Sequence, residues 1–317
     1  MDGPSCAQRA SSSPNLMSSS GWSKEIGSDG AGILSQNCSS SPHWCEAAAV
    51  FVPYCSSDSW SGTNATVGWE SVTAFAGAHI VDAVFADLQQ RGILTSTTEL
   101  VFSGSSAGAE GLYPHVRRVA ALHDPSRMAV LVDSGFFLDS KPYRQGDCRS
   151  LMHCTEAGAL QIAAHSWAIR ADESCAATYG AGAWQCMLGP YALPHILLPS
   201  LTVVVAEFRF DQVALLHDGI TSEPTSGDAL SYAQGQAMQV VKQVTAALAA
   251  APSTHTVAFL PSCFQHTVAR GYGFGLEVVE GVTLASALQT ALTSTTPTSV
   301  VYADTCDSSP SCNPTCT

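Results

Sequence analysis

Basic side chains are scarce in this sequence. Only 13 of its 317 residues are Lys or Arg, against 26 Asp and Glu, which gives a net charge of -13. Nucleic acid and anionic membrane surfaces both need basic patches, so this balance disfavours them as partners. Charge of either sign is thin as well, at 12% of residues, well under the usual quarter. Long apolar runs are missing: the longest stretch, 195–210, is broken by Pro199 and Glu207, so no transmembrane helix is expected. Residues 1–22 lack a basic segment followed by an apolar one, the pattern of a secretory signal. No Cys-x-x-Cys pair occurs at zinc-finger spacing, and no His follows Cys312 and Cys316, so no metal and no cofactor are expected.

What is present is apolar bulk and cysteine. Apolar residues make up 46% of the chain, which fits a globular protein with a large core. The 12 cysteines are an even number with several near the two ends, and suit a disulfide-bonded protein of the secretory pathway. Asn64-Ala65-Thr66 is a glycosylation acceptor if the chain is secreted, and Asn37-Cys38-Ser39 a poorer one.

Along the chain, residues 1–32 read as Ser- and Gly-rich loop. Strands are expected at 47–53, 99–102, 128–132, 201–208 and 256–260, from short apolar or β-branched runs. Helices are expected at 75–91, 107–122, 157–170, 230–250 and 283–292, with a Cys-rich loop as the tail. This alternation predicts an α/β fold: a mostly parallel sheet flanked by helices, as one domain over 1–317, with residues 141–200 an insertion or cap.

The segment LVFSGSSAGAEG (100–111) contains G-x-S-x-G directly after a strand and directly before a helix. That context is the nucleophile elbow: a turn too tight for side chains at its glycines holds Ser106 at the carboxyl end of the sheet. The backbone N–H of Ala107 then points at a developing oxyanion. A glycine-rich turn that binds an anion or merely packs is the alternative. A nucleophilic serine needs a base, and the base an orienting carboxylate. In this fold class they follow in the order Ser, acid, His, on loops after later strands. Asp211 follows the strand at 201–208 and His266 the strand at 256–260. His195 and His217 are the rival bases; Asp133, Asp139 and Asp218 are the rival acids, with Asp133 the best of them because it also ends a strand.

The pieces GILS (32–35), VFVPYCSSDSWSG (50–62), GSSAG (104–108), DSGFFLD (133–139), FDQ (210–212), PSCFQH (261–266) and CNPTC (312–316) together resemble the Notum and pectin acetylesterase family of serine esterases, nearer its Notum branch. The resemblance runs from about residue 5 to the end. It implies an α/β-hydrolase-like fold, no cofactor, and ester hydrolysis through an acyl-enzyme with Ser106 as nucleophile, His266 as base, Asp211 as orienting acid and Ala107 as oxyanion donor. It places Phe136 and Phe137 near the acyl pocket. The leading expectation is a palmitoleoyl-protein carboxylesterase; the alternatives are a polysaccharide O-acetylesterase and a catalytically impaired binding protein on the same scaffold. The acyl group would sit on a protein or a polysaccharide, and the enzyme would be a monomer.

The family's strand and Gly-Gly-Trp-Tyr-Cys-like turn, which supply further oxyanion donors, have no counterpart here, and Cys6 resembles the cysteine that follows that turn. The expectation is therefore that the first strand is missing, that the start at Met1 is a truncation, and that the full protein is secreted.

Overall fold

The structure is a computed structural model, and it describes residues 3–23, 31–39, 41, 43–69, 72–146, 148, 154–251, 254–294 and 297–317. Its centre is a parallel sheet in the order β1-β2-β3-β4-β7, formed by β1 Leu100–Ser105, β2 Met128–Asp133, β3 Thr202–Ala206, β4 His255–Leu260 and β7 Ser299–Ala303. A two-stranded antiparallel ribbon, β5 Val278–Val279 and β6 Val282–Thr283, lies outside it.

The central strands are apolar at nearly every position because both faces of the sheet are covered. Val130, Val132, Val203, Val205 and Leu260 point to one face, where they join Phe85 of α2 (Gly77–Gln90), Val119 of α4 (Val116–Leu122) and Val240, Val244 and Leu248 of α9 (Gly227–Ala249). Ala129, Leu131, Val204, Val257 and Phe259 point to the other, against Leu284, Leu288 and Ala291 of α11 (Leu284–Thr293). The spacing of apolar residues on α9 and α11 is that of a single helical stripe, which is what a helix covering a sheet requires.

The region expected as a cap is helical. It holds α5 (Glu156–Trp167), α6 (Glu173–Tyr179), a 3-10 run at Gly180–Met187 and α7 (Gly189–Ile196). The cap packs a separate apolar cluster, including Leu160, Trp167, Met187 and Phe137, against Phe75. Disulfides Cys148–Cys154 and Cys175–Cys186 pin it.

Three expectations are corrected. Residues 47–53 form no strand: Val50 and Phe51 are 52% and 41% exposed, and an apolar run without a ladder partner stays coil. The helix expected over 107–122 is two, α3 (Ala107–Glu110) and α4, because Pro114 between them cannot donate a helical hydrogen bond. The start is not all loop, since α1 spans Gly3–Ser12. Between the last helix and the Cys-rich tail lies a strand the sequence reading did not include, β7, which completes the sheet beside β4.

Candidate active site

The carboxyl ends of the strands lie level, with Ser105 opposite Asp133, Asp133 opposite Ala206, and Ala206 opposite Phe259. Ligands of open α/β sheets bind at this edge. All the residues expected in the site emerge there.

Ser106 follows β1 and stands at the start of α3 with φ 58° and ψ -126°. A non-glycine residue in this region is strained by about 1–3 kcal/mol and persists only where its surroundings hold it. Its N–H donates to the Asp133 carbonyl (2.9 Å), and its carbonyl accepts from Ala109 N (2.8 Å) and Glu110 N (3.1 Å). Ala107, first in the helix, has an N–H with no intrahelical acceptor. Of the two motif glycines only Gly104 is sterically required: a Cβ there would sit 2.1 Å from the Gly108 carbonyl, while one on Gly108 would meet only Trp60 Nε1 at 3.9 Å.

Asp211 is the N-cap of α8 (Gln212–His217). Its Oδ1 accepts from Val213 N and Ala214 N, both at 2.9 Å. The cap fixes the carboxylate, and Oδ2 is left to accept from His266 Nδ1 at 2.7 Å. With its proton on Nδ1, the neutral ring presents a lone pair on Nε2, which is buried and has no hydrogen-bond partner among the described residues. Burial pulls the His266 pKa down, but the charge and hydrogen bond of Asp211 and the charge of Asp133 outweigh it and raise the pKa above the usual value.

Asp133 belongs to this arrangement in a way its sequence position did not reveal. Its fully buried carboxylate accepts from Ser105 Oγ (2.5 Å), Val268 N (2.8 Å) and Ala269 N (3.2 Å). One side chain thus ties the residue before Ser106 to the loop just after His266. Ser134 Oγ adds a bond from Thr267 N at 2.9 Å. Ser134 and Thr267 have positive φ as Ser106 does, 51° and 70°, so three residues at the strand ends are held in backbone conformations that non-glycine residues rarely adopt. Asp133 makes no bond to the imidazole itself; Asp211 does.

Below the site lies Glu207, whose Oε2 accepts from Phe136 N at 2.8 Å. Burial, with the charge of Asp211 next, pushes its pKa well up. Phe136 and Phe137 line a cleft with Phe208, Asp211 and Leu215. Of the rivals, His217 ends α8, with Nδ1 3.3 Å from Glu156 Oε2. His195 accepts from or donates to Ser174 Oγ (2.8 Å), away from the strand ends. Asp139 accepts from Tyr191 OH (2.7 Å), and Asp218 from Tyr232 OH (2.9 Å). The cysteine nearest the base, Cys263, is disulfide-bonded to Cys316, and Cys306 to Cys312.

The sequence pattern of the pectinacetylesterase family matches residues 1–317. The chain belongs to the pectinacetylesterase family. Among its relatives are palmitoleoyl-protein carboxylesterase notum2 of Xenopus laevis, 32% identical over 98% of this chain, and palmitoleoyl-protein carboxylesterase NOTUM of Mus musculus, 33% identical over 89%. The chain spans 64% and 55% of the length of these two proteins. A solved structure described as the Wnt deacylase Notum from Drosophila superposes with a TM-score of 0.82 at 27% identity, covering 98% of this chain and 86% of that one. The family's α/β-hydrolase-like fold is therefore the fold of this chain. No helix among the described residues is long and apolar enough to cross a membrane.

Proposed function

We propose that this pectinacetylesterase-family chain is a serine carboxylic-ester hydrolase that removes an O-linked acyl group through an acyl-enzyme. Ser106 is the nucleophile, His266 the general base and Asp211 its orienting acid. The observation that carries this reading is the 2.7 Å Asp211–His266 bond, which leaves Nε2 open at the strand edge that also holds a strained Ser106. In the reaction Ser106 Oγ attacks the ester carbonyl as Nε2 takes its proton. The oxyanion accepts from Ala107 N–H, the imidazolium returns the proton to the departing alkoxide, and water repeats the sequence on the acyl-enzyme.

The relatives named palmitoleoyl-protein carboxylesterases support an acylated protein as substrate. The family's description supports an acetylated polysaccharide, although a net charge of -13 repels a polyanionic pectin. Five disulfides among the described residues support an oxidising, extracellular setting. Asn64, one of the two candidate glycan acceptors, is engaged through Nδ2 with Ser166 O at 2.9 Å. The test is hydrolysis of 4-nitrophenyl esters by the protein and by Ser106→Ala. We expect the substitution to cost at least about a thousandfold in kcat; activity that survives it refutes the reading.

A further inference from the structure

Three stretches of chain leave adjacent strands beside the site. The acid arm, 207–211, continues from β3, the base arm, 261–266, from β4, and the tail from β7, and the sheet sets β4 between the other two. Past the sheet the first two arms stay paired. Glu207 N donates to Phe259 O (3.0 Å), Arg209 N to Pro261 O (3.0 Å) and Gln212 N to Gln265 O (3.1 Å). The base arm takes one residue more than the acid arm between the last two bonds, so it leaves the ladder just before His266. The Arg209 side chain lies across that gap. Its Nη1 donates to Ser262 Oγ (3.1 Å) and to the carbonyls of Asp304 and Cys306, the latter at 3.5 Å. Its Nη2 donates to the Asp307 carboxylate. Ser262, fully buried, donates its N–H to Asp304 Oδ2 (2.7 Å) and its hydroxyl to Cys306 O (3.1 Å). One guanidinium thus reaches from the acid arm over the base arm to the tail. The Arg209 side chain is 5% exposed, but that of its partner Asp307 is 56% exposed. An ion pair with one end in water repays little of the cost of burying a guanidinium, so stability alone is a poor account of the burial. What a planar fork of donors provides is fixed spacing among its acceptors.

We propose, resting on the esterase reading above, that Arg209 is a positioning residue: it clamps the base arm between the acid arm and the tail, and so sets the distance from Asp211 to His266. It stands two residues before Asp211, and its contact Ser262 stands four before His266. The 2.7 Å Asp211–His266 bond joins groups on different arms, and it keeps its length only while the arms keep their separation. The backbone bonds at Pro261 and Gln265 bracket residues 262–264, and the Arg209 side chain supplies the tie between them. Asp133 holds the chain beyond the base, through Val268 and Ala269; Arg209 holds the chain before it.

The test measures kcat, KM and the pH profile of kcat/KM on 4-nitrophenyl acetate for the unaltered protein, Arg209→Lys, Ser262→Ala and the double variant. Lysine keeps the charge, but its single nitrogen cannot hold three arms at fixed spacing. We expect Arg209→Lys to lower kcat about 10- to 100-fold with KM within about threefold. In the unaltered protein burial draws the His266 pKa down, and the charge and hydrogen bond of Asp211, with the charge of Asp133, carry it above the usual value. A loosened Asp211 bond gives part of that rise back, so the midpoint of the profile should move down in Arg209→Lys and in Ser262→Ala. The double variant should cost no more than about threefold beyond Arg209→Lys, since both substitutions act through one contact. An unmoved midpoint in folded Arg209→Lys overturns the proposal, whatever its melting temperature, because a tie that only holds the fold would leave the acid–base bond as it was. Ser262→Ala decides on the same readout if Arg209→Lys fails to fold. Full additivity in the double variant overturns the role given to the Ser262 contact. An unmoved midpoint leaves the esterase reading intact, whereas absence of Ser106-dependent hydrolysis in the unaltered protein overturns both.

Discussion

Asp133→Asn tests whether one carboxylate couples the two halves of the site. Asparagine keeps the volume and one carbonyl acceptor. In the protein, Oδ1 takes Val268 N, and Oδ2 takes both Ser105 Oγ and Ala269 N. If the new carbonyl stays with Val268, the amide N–H₂ faces the N–H of Ala269, and that buried donor is stranded at about 1–3 kcal/mol. The Val268 bond, which keeps its acceptor, loses its charge assistance, about another 1 kcal/mol. The sum is about 2–4 kcal/mol, and it falls on the loop that carries His266. A displacement of about 1 Å there costs about 100-fold in rate. We therefore expect kcat on 4-nitrophenyl acetate to fall about 100-fold with little change in KM, alongside a lower melting temperature. Ser105→Ala, which removes one of the three bonds, should fall well short of that. A folded Asp133→Asn protein whose kcat stays within about threefold of the unaltered enzyme would refute the reasoning, even if its melting temperature fell, because it would show that the bonds hold the fold and not the base.

Other outcomes follow from the same geometry. Ser106→Gly should abolish hydrolysis and raise stability by about 1 kcal/mol in thermal melts, since glycine adopts φ 58° without strain; equal or lower stability would mean the elbow stores none. Asp211→Asn should cost about 10⁴-fold in kcat. The pH profile of kcat/KM should rise as His266 loses its proton, with a midpoint above the ordinary histidine value because its pKa is raised. The sign for stability is opposite: the protonated His266–Asp211 pair stabilises the fold fully below the unfolded histidine pKa, and that contribution is lost as pH rises through the raised folded value. In Asp211→Ala the kinetic midpoint should move down, and an unmoved midpoint would mean another group titrates. Removing the Cys263–Cys316 bridge, whose cysteines are 53 residues apart, with Cys316→Ser should lower unfolding free energy by about 4 kcal/mol in denaturant titrations, and an unchanged midpoint would count against a closed loop of that length.

Much of this was legible in the sequence, and what was not has a physical reason. Runs such as AVLVD (129–133) and TVVVA (202–206) signal buried parallel strands because both sheet faces are covered. The elbow is legible because it directly joins a strand to a helix, and Asp211 and His266 because each lies on the loop after a strong strand. The run at 47–53 deceived because apolar composition reports burial only where a partner exists, and β7 hid among Ser and Thr beside a Cys-rich tail. Asp133 was visible as an acid at a strand end, but its partners at 268 and 269 are backbone N–H groups, which leave no mark in a sequence.

The bridge from Cys263 to Cys316 bears on the order in which a nascent chain becomes competent. Ser106 and Asp211 lie well upstream, and the strands that hold them can pair as they emerge. His266 lies three residues after Cys263, and its tether does not exist until Cys316, which follows the last sheet strand, Ser299–Ala303, has been made and oxidised. On the roles proposed for Ser106 and His266, a half-made chain carries a nucleophile without a secured base. Hydrolytic capacity would then arrive last, after the chain has met an oxidant, and the compartment that forms the bond would decide where it first appears.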